Sequence, residues 1–458
     1  MGKFFVQNFG CRATQADGAA LEALLAAKGL EAAEVRAGAD LVVLNTCTVT
    51  SSADDDVRQT IRRVHRENPA ARILVTGCYA QRAPEELASL AGVEWVVGNS
   101  HKTEIAELVT VAPGTDESVP RRGVPSGPCA ARTDPSVPGF PLVGDIFAQH
   151  DFLSAPVEDA AGDRTRPNLK IQDGCNNRCS FCIIPFVRGS SRSAPAERVV
   201  EQVRGLAARY REIVLSGINL GRWGREPGST MRLAGLIRLL LAETEVERLR
   251  LSSVEPMDFS DDLLGLMAES SRIARHVHAP LQTGSDRILR RMHRKYRPRH
   301  YADRILKARA LMPDAAIGAD VMVGFPGETE ADFEENRRFI ADLPFTYLHV
   351  FTYSERPGTP AAADPAIVPM AVRKERNRAL RELSAAKNRA FRESMVGKTL
   401  SAVTLHEAGV ALTENYLKVE LAREREPNRI VDLEIGGVVR GGLREATSPA
   451  GLPWLSTS

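Results

Sequence analysis

Apolar runs alternate with amphipathic stretches along most of the chain. In the first hundred residues four short runs stand out, KFFVQNFG, DLVVLNT, RILVTG and VEWVVGN, each bounded by Gly, Asn, Asp or Thr. Between them apolar positions recur with helical period, for example over residues 17–28 and 54–66. Strands that alternate with helices predict an open parallel sheet covered by helices. After about residue 111 the pattern fades into a Pro-, Gly- and Ser-rich stretch, which predicts a linker over 112–160. It resumes at LKIQ and continues through EIVLS, ERLRLSS, VHAPL, AIGADVMVG and YLHVFTY, each followed by a helical pattern. Six such units predict a partial (βα)6 barrel, related to the eight-unit form but open on one side. A basic helix is expected over 371–394. Beyond it LSAVTLHE, YLKVELA and IVDLEIGG alternate with period two, which predicts a small antiparallel β domain. The α/β reading therefore divides the chain into 1–111, a linker 112–160, 161–395 and 396–456.

Composition narrows this picture modestly. The 458 residues are 43% hydrophobic and 26% charged, which excludes disorder throughout. A net charge of +2 means that any nucleic-acid-binding surface must be local. The first apolar run is too short for a secretion signal, and no run of about 18 apolar residues predicts a membrane span. A cytoplasmic protein with reduced thiols is expected. Its seven cysteines then point to metal binding or catalysis before disulfides.

The densest chemistry is Cys175-x3-Cys179-x2-Cys182, in IQDGCNNRCSFCIIP, directly after the first barrel strand. Three thiolates on one loop can hold three irons of a four-iron cluster and leave the fourth open to a small molecule. Structural zinc normally takes four protein ligands, and no fourth His or Cys lies nearby in sequence. Cys11, Cys47 and Cys78 form a second set. Each ends a strand-like run, and strand ends of an open parallel sheet share one crevice. Either they converge on a second cluster or they are three buried structural cysteines. Cys129, inside the linker, is read as a bystander.

Together with TCTVT, TGCYAQ, IQDGCNNRCSFCIIPFVRG, HAPLQTGSDRILRRM, GFPGET and YSERPGTPA, these features resemble the radical S-adenosylmethionine methylthiotransferases over nearly the whole chain outside the linker. The resemblance implies two 4Fe-4S clusters, S-adenosylmethionine as cofactor, an electron donor such as flavodoxin or ferredoxin, and a C-terminal TRAM module that grips tRNA. It implies that the cofactor chelates the open iron at Cys175, Cys179 and Cys182. A 5′-deoxyadenosyl radical would then take hydrogen from adenine C2, where a methylthio group built at Cys11, Cys47 and Cys78 is delivered. TGCYAQ, LSSVEP and HVFTYSERPGT are similar to the branch acting on threonylcarbamoyladenosine in tRNA. SGINLG stands where the isopentenyladenosine branch usually carries QNV, and GCRATQADGAA departs both from that branch and from the one acting on an aspartate of a ribosomal protein. Methylthiolation of isopentenyladenosine in tRNA, a non-catalytic iron–sulfur RNA-binding sensor and a zinc-stabilised RNA-binding protein are the rival readings.

Further residues follow from the resemblance. Ser216, Gly217 and Asn219 in SGINLG would receive the amino group of the cofactor, or form only a polar turn. Glu255 would face the ribose hydroxyls, or be a solvated acid. Gln282 ends the fourth strand on the same rim. Phe181, between two cluster cysteines, would shield the cluster or touch adenine. The GFPGET glycines would admit a ligand or make a tight turn. The basic runs 290–299, 62–66 and 373–392 are candidates for phosphate contact, the first of them favoured.

Overall fold

The computed structural model describes residues 2–110, 140–149, 152 and 165–447. Strands β1 (Lys3–Asn8), β2 (Glu31–Ala32), β3 (Leu41–Thr46), β4 (Arg72–Gly77), β5 (Val93–Gly98) and β6 (Phe140–Leu142) form one parallel sheet in the order β2-β1-β3-β4-β5-β6. All six residues of β3 are buried, as expected for a central strand with helices on both faces. Helices Arg12–Ala27 and Ser51–Glu67 cover opposite faces, the first over Phe4, Leu41 and Val43, the second over Val42, Leu44 and Ile73. Thr50 caps the second helix by accepting from the Ala53 amide at 3.2 Å. Both helices start earlier than the periodicity placed them, because their first turns carry polar residues. Strand β6 corrects the linker reading. Part of 112–160 completes the sheet, but three residues are too few to leave a periodic signal. Cys129 lies outside the described residues.

The second unit holds β7 (Asn168–Asp173), β9 (Glu212–Gly217), β10 (Arg248–Leu251), β11 (His276–His278), β12 (Ala316–Val323) and β13 (Tyr347–Thr352), parallel and in sequence order. A single bridge, Leu249 to Ile273, joins the first three to the last three. The short β8 (Arg192–Ser193) runs antiparallel beside β7. Alternate residues, such as Leu249, Val277, Ile317, Ala319, Leu348 and Val350, join the helices in the main core. Their neighbours, including Glu212, Arg250, His276, His278 and Asp320, face the lumen. The partial barrel is as expected, and the helix Met370–Glu393 closes its far side.

The last unit is a closed barrel of β14 (Thr399–Thr404), β15 (Val410–Thr413), β16 (Lys418–Glu420), β17 (Ile430–Val439) and β18 (Gly442–Glu445), ordered β14-β15-β16-β18-β17. It departs from the antiparallel expectation in one pair, β16 with β18, which run parallel. Arg250 of β10, fully buried and paired with Glu212, donates to the Thr413 and Glu414 carbonyls, so this barrel stoppers the lumen at the strand-start end. The N-terminal sheet spans the barrel's open side. Asp17 pairs with Lys170 of β7, while Asp54 pairs with Arg356 beyond β13 at 2.7 Å. Among the described residues no helix is long and apolar enough to cross a membrane.

Candidate metal and cofactor centre

Strands β1, β3 and β4 are neighbours, paired in register through Asn8, Asn45 and Thr76. Cys11, Cys47 and Cys78 follow those ends directly, so the topology brings all three to one crevice. Cys11 caps the helix Arg12–Ala27, and Cys78 opens the short helix Cys78–Arg82. Gly77, between strand and helix, has φ +100°; a Cβ there would stand 2.4 Å from the Thr46 carbonyl oxygen. Glycine is thus what lets the chain turn to present Cys78. Burial, with Cys78 and Cys11 beside it, pushes the Cys47 thiol up to about 12. Such a thiol ionises only against a strong positive charge, which a metal centre supplies.

The other three cysteines lie on the loop after β7. Cys175 accepts from the Asn177 amide at 3.4 Å and from Asn219 Nδ2 at 3.8 Å. Arg294 donates to Cys179 Sγ at 3.2 Å and pairs with Glu255. Cys182 is pushed up to about 12 by burial and by Cys179. Each set offers three cysteine donors, which suits a four-iron cluster with one open iron better than structural zinc, which normally takes four protein ligands.

The predicted cofactor contacts gather on the same rim. Ser216 Oγ and Asn219 Oδ1 are buried without a hydrogen-bond partner, as groups waiting for a ligand would be. The Asn219 amide is fixed by Gln172 Oε1 at 2.6 Å, and Gly217 packs against the same Gln172. Glu255 is not a solvated acid, because Arg294 holds it beside Cys179. Gln282 sits at φ +65° and is hydrogen-bonded to β12 through Asp320 and Met322. Phe181 packs edge-on against Phe325 with centroids 6.4 Å apart. The glycines of GFPGET serve packing: Gly324 lies where a Cβ would meet Arg373 Cγ at 2.3 Å.

Sequence reasoning missed two features. Arg294 belongs to the run 290–299 favoured for phosphate contact, yet it is buried at the cluster loop. Other members of that run are engaged as well: Arg290 and Arg297 pair with Asp286, Arg291 with Asp364, and Tyr296 is buried. His293, Lys295 and Arg299 of the run stay exposed. In the helix Met370–Glu393, Arg373 and Arg376 are likewise buried, the latter against Glu328. The second feature is a buried ionic knot between the two cysteine sets. Asp17 meets Lys102, Lys170 and Arg188, while Asp173 meets Lys170, Arg188 and Arg192. Burial works against the charge of Arg188, but Cys78, Asp17, Asp173 and Cys11 hold it firmly cationic. Cys78 itself packs on Ile183 and Val187, just past Cys182, so one short segment separates the two centres.

The chain matches known proteins over most of its length. Residues 3–98 match a family described as an uncharacterised protein family, UPF0004, and residues 169–340 match the radical SAM superfamily. The threonylcarbamoyladenosine tRNA methylthiotransferase MtaB of Aquifex aeolicus is 37% identical, covering 94% of this chain and 99% of that one. The chain belongs to the radical S-adenosylmethionine tRNA methylthiotransferases. A tRNA-2-methylthio-N(6)-dimethylallyladenosine synthase from Novosphingobium aromaticivorans is 35% identical over 86% of this chain and 85% of its own. The radical S-adenosylmethionine methyltransferase TsrM of Kitasatospora setae shares the fold, with TM-score 0.54 and 17% identity over 79% of this chain and 76% of that one. As a methylthiotransferase of this family, the chain is an enzyme that uses S-adenosylmethionine and 4Fe-4S clusters.

Proposed function

We propose that this methylthiotransferase acts in the cytoplasm on threonylcarbamoyladenosine beside the anticodon of tRNA, placing a methylthio group on C2 of the base. Cys175, Cys179 and Cys182 would hold one 4Fe-4S cluster, and Cys11, Cys47 and Cys78 the other. The observation that carries the two-cluster reading is the pair of three-thiol sites, one at the adjacent ends of β1, β3 and β4 and one on the loop after β7, on either side of residues 183–188. The cofactor, when bound, supplies a carbon-centred radical. The chain's part is to bind, orient and shield. Asn219 and Ser216 offer buried polar atoms to the cofactor's amino group, and Glu255, fixed by Arg294, stands on the rim to accept from its ribose hydroxyls. Phe181, between Cys179 and Cys182 and packed edge-on against Phe325, would shield the cluster side from water. An electron donor such as flavodoxin or ferredoxin would dock from outside.

The threonylcarbamoyl assignment is supported by the coverage of the Aquifex relative, which is nearly end to end. The C-terminal barrel, read as a TRAM module, would hold the RNA backbone with the exposed arginines of 62–66, so binding should weaken steeply with salt. The test offers tRNA carrying either modification to the reconstituted enzyme and reads nucleosides by mass spectrometry. Methylthiolation of the threonylcarbamoyl tRNA is expected; product on the isopentenyl tRNA alone would overturn the substrate assignment.

A further inference from the structure

The barrel lumen below the cofactor rim holds polar groups that the cofactor site leaves unused. His278 at the end of β11, Asp320 of β12 and His349 of β13 offer ligand atoms that lie within 4.8 Å of one another. The His278 ring is 6% exposed, and its Nδ1 is bonded to Ser253 Oγ at 2.7 Å. Its Nε2 is buried and makes no hydrogen bond, 3.5 Å from Asp320 Oδ1. His349, 52% exposed, reaches the same Asp320 oxygen at 3.2 Å, so the trio runs from the interior to the open side. Phe351, two residues on along β13, is 47% exposed and faces the same way, edge-on to His349. Ser253 lies two residues before Glu255, which places this polar wall directly beneath the cofactor rim.

The opposite wall comes from the N-terminal unit. The helix Arg12–Ala27 lies along β7, with the Asn168 side chain donating to the Arg12 carbonyl at 2.7 Å. Arg12 follows Cys11 directly, and its guanidinium points to the lumen floor, where Nη2 lies 3.5 Å from Tyr416 Oη. Tyr416 stacks on His276 with ring centroids 4.5 Å apart, and His276 Nε2 is bonded to Tyr347 Oη at 2.6 Å. Among the described residues Arg12 has no carboxylate partner, although nearly every other lumen cation is paired. A half-buried guanidinium with nothing to neutralise it is an anion site. The lumen thus places a cation on the floor, hydrogen-bonding groups on one wall, an exposed aromatic at the mouth, and a cysteine centre one residue from the cation.

We propose that this lumen seats the threonylcarbamoyl substituent of the substrate base, with Arg12 pairing its carboxylate and His278, Asp320 and His349 bonding its urea and hydroxyl groups. This rests on the substrate reading above and adds the groups that recognise it. The chemistry is matched: the substituent carries one carboxylate, two urea N–H groups, a urea oxygen and a hydroxyl. Burial keeps His278 below the usual imidazole range, so it serves as a neutral hydrogen-bonding group. The Asp320 carboxylate can accept from a urea N–H or the hydroxyl. An isopentenyl group would leave Arg12, Asp320 and His278 unsatisfied, and unpaired buried polar groups reject a ligand more strongly than missing contacts do. Phe351 at the mouth suits a base unstacked from its loop.

The test measures equilibrium binding of the reconstituted full-length enzyme to one anticodon stem-loop in three forms: threonylcarbamoylated, isopentenylated and unmodified. Wild type should prefer the threonylcarbamoyl loop. In R12Q the ratio of threonylcarbamoyl to unmodified affinity should fall about 10- to 100-fold, the scale of a hydrogen bond to a charged group. H349L, at an exposed position that tolerates substitution, should lower the same ratio and raise affinity for the isopentenyl loop. Iron and sulfide contents equal to wild type verify that each variant is folded and loaded. Wild type without preference for the threonylcarbamoyl loop overturns the substrate reading itself. Wild type with that preference, kept in full by both variants, overturns the lumen assignment alone. A stoichiometric metal other than iron, present in wild type and lost from H278Q, also overturns it, by giving the trio to a metal ion.

Discussion

Replacing Asp17 by Asn keeps the shape of the ionic knot and removes one of its charges. Asp17 and Asp173 are the two carboxylates facing Lys102, Lys170, Arg188 and Arg192, and each touches three of those cations. Burial raises the pKa of Asp17, but Lys102, Lys170 and Arg188 outweigh it and hold the carboxyl well below the ordinary range. At an effective dielectric of about 20, a pair at about 3 Å is worth about 5 kcal/mol before desolvation. Removing one partner of a buried pair costs about 3–5 kcal/mol, because the remaining charge stays in the interior. In D17N Lys170, Arg188 and Arg192 would share Asp173 and Lys102 would lose its carboxylate, so the seam between the sheet and the barrel should lose at least about 3 kcal/mol. A chain of several units does not unfold in one step, so a melting temperature would blur this. Native-state hydrogen exchange resolves it: amides of residues 12–27 and 184–188 should exchange about 100-fold faster, at about 1.4 kcal/mol per tenfold. The double variant D17N/K102M, which removes a stranded cation as well, should recover part of the loss. Because the folded pKa is depressed, the contribution of Asp17 is complete above its ordinary value of 3.8 and fades as pH falls below it. Exchange in D17N within about threefold of wild type at neutral pH would refute the reasoning.

Three further expectations follow from the same geometry. Cys175, Cys179 and Cys182 changed together to Ala should leave one four-iron cluster of two by iron and sulfide analysis; full iron content would sink the site assignment. Single changes of Cys11, Cys47 or Cys78 to Ala should abolish methylthiolation while reductive cofactor cleavage, read as 5′-deoxyadenosine, survives. Gly77→Ala forces a side chain into a left-handed turn against Thr46, so it should destabilise the sheet by about 1–3 kcal/mol and lower iron at Cys78, measured by denaturation and metal content.

The parts legible in the sequence were those with a period or a spacing. Six apolar runs separated by helical patterns gave the partial barrel, because alternate residues of each strand pack on the helices and must be apolar even where their neighbours in the lumen are charged. The convergence of Cys11, Cys47 and Cys78 was readable because β1, β3 and β4 are adjacent and each cysteine follows a strand end. What stayed hidden depends on contacts distant in sequence. Arg294 looked like one more basic residue in a basic run, and only the fold turns it inward onto Cys179 and Glu255. Asp17 reads as an ordinary helix acid, since its partners lie 85, 153 and 171 residues away. Strand β6 escaped because β5 alone defines its place.

The way Arg250 and Tyr416 join the two barrels has a practical meaning for anyone shortening this protein. Deleting the C-terminal module would usually be read as removing a handle for RNA and leaving the chemistry intact. Here the module supplies Tyr416 to the stack under His276 and two backbone carbonyls to Arg250. A truncated chain would therefore have a cell with its bottom knocked out, a stranded guanidinium–carboxylate pair opened to water, and a reactive centre leaking into solvent. Lost activity in such a truncation would report the broken vessel as much as any lost RNA contact, whereas point changes on the module's outer face would leave the vessel whole and test the proposed grip alone.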